Sequence, residues 1–209
     1  MSRGLKIFLG IVAVLLILVF VAYSSIKNTY NSLVGLDEKV NGSWSQVQNV
    51  YQRRADLIPN LVEVVKGARD FEKETLESVI RARASATRPE ININSAEILR
   101  NPQLFQKFEQ AQTQLGSALG RLLVTIERYP DLKSNQNFIR LQDELAGTEN
   151  RITVERRRFN QTVQLYNQRV RTFPTMIFAG MFGFQQRPYF EASAEAQETP
   201  KVDFSSGSN

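Results

Sequence analysis

The hydrophobic positions of this chain form one uninterrupted block near the start, followed by rows with helical spacing. Residues 7–26, IFLGIVAVLLILVFVAYSSI, include no charged residue. About 20 such residues form a helix long enough to span a bilayer, and the run is longer than the stretch of about 7 to 15 residues that is usual in a signal peptide. The pattern predicts an uncleaved transmembrane signal anchor over residues 7–26, after a short N-terminus over residues 1–6.

Basic residues lie mainly on the N-terminal side of this anchor. Arg3 and Lys6 precede it, whereas Lys27 alone follows it closely before Asp37 and Glu38. Lys and Arg are retained on the cytoplasmic side of single-pass proteins. We therefore expect the N-terminus in the cytoplasm and the rest of the chain outside it.

The next apolar row passes through a proline without a change of phase. Its members are Leu36, Val40, Trp44, Val47, Tyr51, Ala55, Ile58, Val62 and Val65. Their three- and four-residue spacing is that of one helix face. Pro59 either kinks or ends such a helix, and few turn-forming residues surround it. We expect a kinked helix that continues to about Ala86 and is stopped by residues 87–89.

Two further helices are predicted by the same spacing. The second has Asn101 as its cap and Pro102 as its first residue, and it stops at Pro130. The third begins near Asn135 and ends before Pro174. Their apolar rows are Phe105, Phe108, Ala111, Leu115, Ala118, Leu122, Ile126 and Tyr129, and then Phe138, Leu141, Leu145, Ile152, Phe159, Val163, Tyr166 and Val170.

These rows predict an all-α protein in which an N-terminal transmembrane helix is followed by an antiparallel bundle of long helices. The bundle would occupy residues 27–190. Residues 191–209 are small, polar and acidic, and we expect them to form a disordered tail.

Composition narrows the chemistry of this bundle. The chain has no Cys and no His, which excludes thiol nucleophiles, disulfides, imidazole or thiolate metal ligands and the usual proton shuttle. The net charge of +5 is spread over 26 basic and 21 acidic residues, a pattern of solvated helix faces and not of a nucleic-acid groove. We expect no catalytic, cofactor-binding or metal-binding residues and no nucleic-acid partner, although a carboxylate-only site for Mg²⁺ or Ca²⁺ remains formally open.

Charged residues interrupt the apolar rows near mid-bundle. Glu155 and Arg156 stand in the third row where an apolar residue was due, and Arg53 and Arg54 hold comparable positions on the first helix. Buried charges are costly unless they are paired. One interpretation is a register-fixing layer in which the two arginines pair with Glu149 and Glu155. The other is that the long side chains extend out to solvent.

Residues 173–184, FPTMIFAGMFGF, form a second apolar segment that includes Phe178 and Phe182. About 12 apolar residues are too few to span a membrane. We favour a closing helix packed on the bundle over an exposed docking or membrane-contact patch.

Several segments in order, among them YNSLVGLDEKVNGSWSQVQNVYQRRADLIPNLVEVVKG, YPDLKSNQNFIRLQDELAGTENRITVERRRFNQTVQLYN and FPTMIFAGMFGFQQRPYFEA, closely resemble the LemA family of bacterial membrane-anchored proteins. The likeness covers roughly residues 30–192. It implies a small helical bundle behind a transmembrane helix, with no established catalytic activity. Similar proteins include one linked to magnetosome membranes, which suggests membrane or envelope organisation.

Together these observations predict a non-enzymatic, single-pass protein of the bacterial cytoplasmic (inner) membrane, with its bundle extracytoplasmic or periplasmic. It would act as an interaction or scaffolding module with an unidentified envelope protein partner. The alternatives are a sensor or regulatory subunit of an envelope protease or transporter, and a small-ligand or metal-binding protein that uses the interhelical Arg/Glu layer.

Helix lengths also predict self-association. A first helix ending at Ala86 would be roughly 90 Å long, against roughly 40 and 55 Å for the other two. Its membrane-proximal row, which includes Trp44, would then lack partners within the chain. Either Pro59 bends the helix sharply enough to fold this part against the bundle, or the rows of several copies pack together as a coiled coil. We favour the homo-oligomer, because the apolar phase continues through the proline.

Overall fold

The computed structural model describes residues 3–68, 71–88 and 95–191, which form seven helices and no strand. The helices are α1 (Arg3–Lys66), α2 (Lys73–Ala86), α3 (Ser95–Arg100), α4 (Pro102–Ile126), α5 (Pro130–Lys133), α6 (Gln136–Arg171) and α7 (Thr175–Met181). The all-α bundle predicted from the sequence is confirmed. The predicted disordered tail lies outside the described residues except for Glu191.

Helix α1 joins the apolar N-terminal segment to the bundle without a break. It contains 64 residues and includes Pro59. Its N-terminal part is apolar and is not covered by the rest of the chain, and by length and composition it could cross a membrane. The same helix then supplies one wall of the core, so the predicted anchor and the bundle share one rod.

The first helix does not continue to Ala86, and that prediction is wrong. Helix α1 ends at Lys66, and the amides of Gly67 and Ala68 close a final turn on the carbonyls of Glu63 and Val65. Helix α2 then runs back along α1. The apolar residues of α2, such as Leu76 and Val79, keep a helical spacing, so the periodicity alone did not show the reversal.

The four longer helices alternate in direction. Helix α6 begins beside the distal end of α1, where Phe138 shares a cluster with Val65, and it ends beside Leu33, which shares a cluster with Val170. Helix α4 runs parallel to α1, and α2 runs antiparallel to both. The result is an up-down-up-down bundle in which the C-terminal end of α6 returns toward the apolar segment of α1.

The predicted starts of α4 and α6 agree with the structure, whereas α4 ends at Ile126, before the predicted stop at Pro130. The side-chain oxygen of Asn101 accepts hydrogen bonds from the amides of Gln103 and Leu104, and Pro102 is the first residue of α4. Asn135 caps α6 in the same way, accepting from the amides of residues 137 and 138. A cap oxygen satisfies backbone donors that the first turn cannot satisfy.

The membrane-proximal row of α1 is covered within the chain. Leu33, Val40, Trp44 and Val47 are fully buried against α3, α4, α6 and the segment after α7. The premise that this row lacks partners was therefore wrong, because α6 returns along the whole of it. Self-association remains a prediction, but it no longer follows from an uncovered stripe.

Candidate functional site

A polar layer separates two apolar clusters in the bundle. The membrane-proximal cluster is built around Trp44, whose ring lies 5.1 to 6.0 Å, between ring centroids, from those of Phe105, Phe108, Phe159 and Phe190. The distal cluster includes Ile58 and Leu115. Between them lies Arg54, whose side chain is only 4% exposed.

Arg54 is held by acceptors from two other helices. Its Nη1 donates to Oε1 of Glu149 at 2.8 Å, and its Nη2 donates to the backbone carbonyl of Gln112 at 3.1 Å and to the side-chain amide oxygen of the same residue. Its Nε has no acceptor within the described part of the chain. Since both terminal nitrogens already have protein acceptors, the arrangement joins α1, α4 and α6 at one level.

Gln112 extends this layer to α2. Its amide Nε2 donates to the carbonyl oxygen of Ala86 at 3.3 Å. A single buried glutamine therefore accepts from Arg54 and donates to the C-terminal end of α2. Sequence reasoning missed it, although Gln112 follows Ala111 on the buried face of α4, where a polar residue is unusual.

The other predicted members of the layer lie elsewhere. The side chain of Arg53 is half-exposed, and its Nη2 lies 3.9 Å from Oε2 of Glu144, which is a loose ion pair. Glu155 pairs with Arg158 on its own helix at 2.7 Å and not with an arginine of α1. Of the proposed pairs, the structure brings together Arg54 and Glu149. Height along the bundle explains the difference, because Glu155 lies six residues beyond Glu149, a rise of about 9 Å along α6 that takes it past the level of Arg54.

A second interhelical pair lies on the membrane-proximal side of the layer. Nη2 of Arg156 donates to Oε1 of Glu109 at 2.8 Å and to the carbonyl oxygen of Glu191 at 3.0 Å. The guanidinium also lies over the ring of Phe190, 4.5 Å from its centroid. Burial raises the pKa of Glu109, and the nearby Arg156 offsets part of that effect.

Tyr51 lies between the polar layer and the proximal cluster. Burial raises its pKa, while the positive charges of Arg156 and Arg54 lower it by less. The guanidinium of Arg54 lies 5.1 Å from the centroid of its ring. Tyr51 is therefore a neutral phenol at physiological pH, with its ring also in edge contact with Phe108.

Two asparagines of α6 hold the chain segment that follows α7. The side chain of Asn167 donates to the carbonyl of Arg187 and accepts from its amide, at 2.9 and 2.8 Å. Asn160 makes the same pair of bonds with Phe190, at 2.8 and 2.9 Å. We call residues 185–191 the strap. The two asparagines are seven residues apart, so they lie on one helix face, a signal that sequence reasoning overlooked.

The strap also carries a charge into the bundle. The side chain of Arg187 is 3% exposed, and its Nη2 donates to Oδ1 of Asp37 at 2.6 Å. Its guanidinium lies 5.6 Å from the ring centroid of Tyr166, whose pKa is raised by burial. This pair joins the strap to α1, whereas the asparagines join it to α6.

The second apolar segment has two different faces. In α7, Thr175 and Ala179 are buried and Phe178 is half-buried, as expected of a closing helix. The helix ends at Met181, and a left-handed Gly183 follows it, so that the amide of Phe184 donates back to the carbonyl of Ala179 at 2.9 Å. The outer face remains exposed, including Phe182, so the packed interpretation applies to the inner face alone.

A groove of about 530 Å³ lies between α6 and the strap. It is lined by Thr153, Arg156, Arg157, Asn160, Gln161, Gln164, Tyr189, Phe190 and Glu191. Within the three described ranges, no group of three or more acidic side chains is placed to hold a metal ion.

Comparison with known proteins places these features in a family. The family model described as "LemA family" matches residues 43–204. Magnetosome protein MamQ of Magnetospirillum gryphiswaldense is 26% identical over 224 aligned residues, covering 97% of this chain and 78% of that protein. Magnetosome protein MamQ 2 of Paramagnetospirillum magneticum is 25% identical with the same coverage. Protein LemA of Metamycoplasma hominis is 24% identical over 173 residues, covering 83% of this chain and 72% of that protein.

The match covers the distal part of α1, all of the later helices and the strap. It therefore includes the polar layer, the two asparagines and α7. The chain belongs to the LemA family.

Proposed function

We propose that this protein is a non-enzymatic, single-pass membrane protein of the bacterial cell envelope whose bundle acts as an interaction or scaffolding module. The observation that carries the proposal is the continuity of α1. Residues 7–26 have the length and composition of a membrane span, and the same helix runs unbroken to Lys66 in the core of the bundle. A protein partner bound to the bundle would therefore be held at a fixed distance from the membrane.

That distance follows from helix geometry. The 40 residues between Lys27 and Lys66 correspond to a rod of about 60 Å. The return of α6 along α1, the layer around Arg54 and the strap all stiffen this rod. Rigidity of this kind supports a scaffold, because an interaction surface on a stiff support loses less entropy on binding.

The names of the relatives agree with a role at membranes. Two of them are called magnetosome proteins, and none of the three names describes a reaction. The ligand-binding alternative is less favoured, because Arg54 and Gln112 already bond to protein groups. A thermal-shift screen of the full-length protein with metabolites and divalent metals would test that alternative directly.

Orientation is proposed from the basic residues before the anchor, with the N-terminus in the cytoplasm and the bundle extracytoplasmic or periplasmic. Alkaline phosphatase fused after Asn209 should then be active, because the enzyme needs an extracytoplasmic location. An inactive phosphatase together with a fluorescent cytoplasmic reporter at the same position would reverse the orientation. Neither result would change the proposal of an envelope scaffold attached to the membrane.

The interaction itself is tested by photo-crosslinking in native membranes. A photoreactive residue is placed at exposed positions on α4 and α6, such as Val124, Ile139 and Leu165. A scaffold with a defined partner should give discrete adducts at one face and not at the others. Diffuse adducts in proportion to protein abundance at every position would overturn the proposal.

A further inference from the structure

The membrane-proximal end of the bundle carries an exposed apolar patch. We call it the α7 face, and its members are Phe173, Met176, Ile177, Met181 and Phe182. Their exposure ranges from 44% to 74%. Contiguous apolar patches of this kind usually mark an interaction surface in a protein that is otherwise well packed.

Its position relative to the anchor is set by Tyr30. The ring of Tyr30 lies in edge contact with those of Phe182 and Phe184, at centroid distances of 5.0 and 5.9 Å. Tyr30 is four residues beyond Ile26 on the same helix, a rise of about 6 Å. The headgroup region on each side of a bilayer is about 5 to 8 Å thick. The α7 face therefore lies at headgroup level when residues 7–26 span the hydrocarbon core.

The charge around this end favours a lipid surface. Residues 1–36 and 156–190 contain no Asp or Glu, whereas Lys27, Arg169 and Arg171 are exposed near the patch. Apolar side chains bordered by Lys and Arg are the composition of segments that lie in the interface of membranes with anionic lipids.

We propose that the α7 face inserts into the headgroup region of the leaflet from which α1 emerges, with Lys27, Arg169 and Arg171 facing anionic headgroups. This second contact rests on the proposed anchoring of residues 7–26. Lipid is the favoured occupant because α1 is unbroken between the anchor and Tyr30, so the patch is already held at the bilayer. Two contacts would also fix the tilt of the bundle, which a single helix leaves free.

The absence of cysteine allows a direct test on the full-length chain. An environment-sensitive fluorophore is attached to Met181→Cys, and a matched control is attached to Val124→Cys. These side chains are equally exposed, at 73% and 72%, but Val124 lies near the distal end of α4. A third variant, Val19→Cys, reports on the anchor. Each is reconstituted in vesicles of phosphatidylcholine with a minority of phosphatidylglycerol, with doxyl-labelled lipids as quenchers.

We expect shallow doxyl groups to quench the label at residue 181 and deep ones to quench the label at residue 19. The label at residue 124 should respond to neither. Quenching at 19 without quenching at 181 would overturn this proposal and leave the anchor intact. Lack of quenching at 19 would overturn the anchoring and this proposal with it. Energy transfer between labels at 181 on separate copies, without quenching by lipid, would assign the patch to a second copy instead.

The basic residues are tested separately. In vesicles that contain phosphatidylglycerol, the variant Arg169→Gln/Arg171→Gln should show weaker quenching of the label at residue 181. In phosphatidylcholine alone, the same variant should match the unsubstituted chain. If the variant and the unsubstituted chain were quenched equally in both lipids, the anionic headgroups would not contribute to this contact.

Discussion

Nε of Arg83 donates a hydrogen bond of 2.8 Å to the carbonyl oxygen of Ala55. In an uninterrupted helix that oxygen would accept from the amide four residues later, but this position is Pro59, which has no amide hydrogen. Helix α2 thus supplies the donor that α1 lacks. This explains how a proline lies inside α1 without ending it, and it links the two helices at a defined level.

The first prediction concerns this bond. Replacing Arg83 with Leu should lower the free energy of unfolding by about 1 to 3 kcal/mol, because it leaves the carbonyl of Ala55 without a donor. Adding Pro59→Ala should restore most of the loss, since alanine supplies the missing amide. The sole tryptophan, Trp44, is fully buried, so its fluorescence reports denaturation of the full-length protein in detergent.

Arg81→Leu is the matched control on the same helix. Arg81 pairs with Glu77 four residues away, and both side chains are substantially exposed, so its loss should change stability by less than about 0.5 kcal/mol. If Pro59→Ala shifted stability equally with and without Arg83, the two residues would not be coupled. The proposed compensation would then be wrong.

The sequence predicted the helices well where the helical rows and caps were decisive. The apolar rows of α4 and α6 and the caps Asn101 and Asn135 act locally, within one or two turns. The end of α1 was missed because the reversal after Lys66 falls between two segments with the same periodicity. Pro59 loses a backbone hydrogen bond, but a residue of another helix replaces it, and such compensation leaves no local signal in the sequence.

The candidate site was predictable only in part, for a similar reason. A charged residue inside an apolar row signals a buried polar partner, and Arg54 is such a residue. Which residue is the partner depends on helix rotation and relative height, so Glu149 could be named but not distinguished from Glu155. Gln112 and the strap required the fold itself, since their contacts join segments that are far apart in the chain.

The second prediction concerns the charge of Arg54. Glu149→Leu should cost about 2 to 4 kcal/mol, because it leaves a buried guanidinium without its counter-charge. Arg54→Met should cost about 1 to 3 kcal/mol, because the buried amide oxygen of Gln112 loses its donor, while water can solvate the side chain of Glu149, which is 47% exposed. The double variant should be no less stable than Glu149→Leu alone. Denaturation followed by Trp44 fluorescence measures all three.

Arg53→Met is the neighbouring control. Arg53 is half-exposed and lies 3.9 Å from Glu144, so its replacement should be nearly neutral. An effect of Glu149→Leu as small as that of Arg53→Met would mean that the charge of Arg54 is balanced elsewhere. The polar layer would then have no role in fixing the helices.

The third prediction concerns the strap. Asn167→Ala removes an acceptor from the amide of Arg187 and a donor from its carbonyl. Amide hydrogen exchange at Arg187 should accelerate more than tenfold, because two buried bonds of about 1 kcal/mol each are lost. The exposed Gln164, three residues earlier on the same helix, provides the control as Gln164→Ala. Unchanged exchange at Arg187 would show that the strap is held without Asn167, by the pair of Arg187 with Asp37 and the bonds of Asn160 to Phe190.

The last prediction is an alkaline loss of stability that depends on Tyr51. Burial raises the pKa of Tyr51 above its usual value of 10, so above pH 10 the unfolded chain releases this proton more readily than the folded chain does. Because the folded state then holds more protons, the free energy of unfolding must fall as pH rises above 10, by at most about 1.4 kcal/mol per pH unit for one group.

Tyr51→Phe should reduce this slope between pH 10 and 11 while stability at pH 7 changes little. The measurement is the difference in slope between the two proteins, which cancels the titration of the lysines that both share. An unchanged slope would mean that the phenol of Tyr51 ionises in the folded bundle as easily as in water, and the packing of its ring beside Arg54 would then have to be looser than the structure shows.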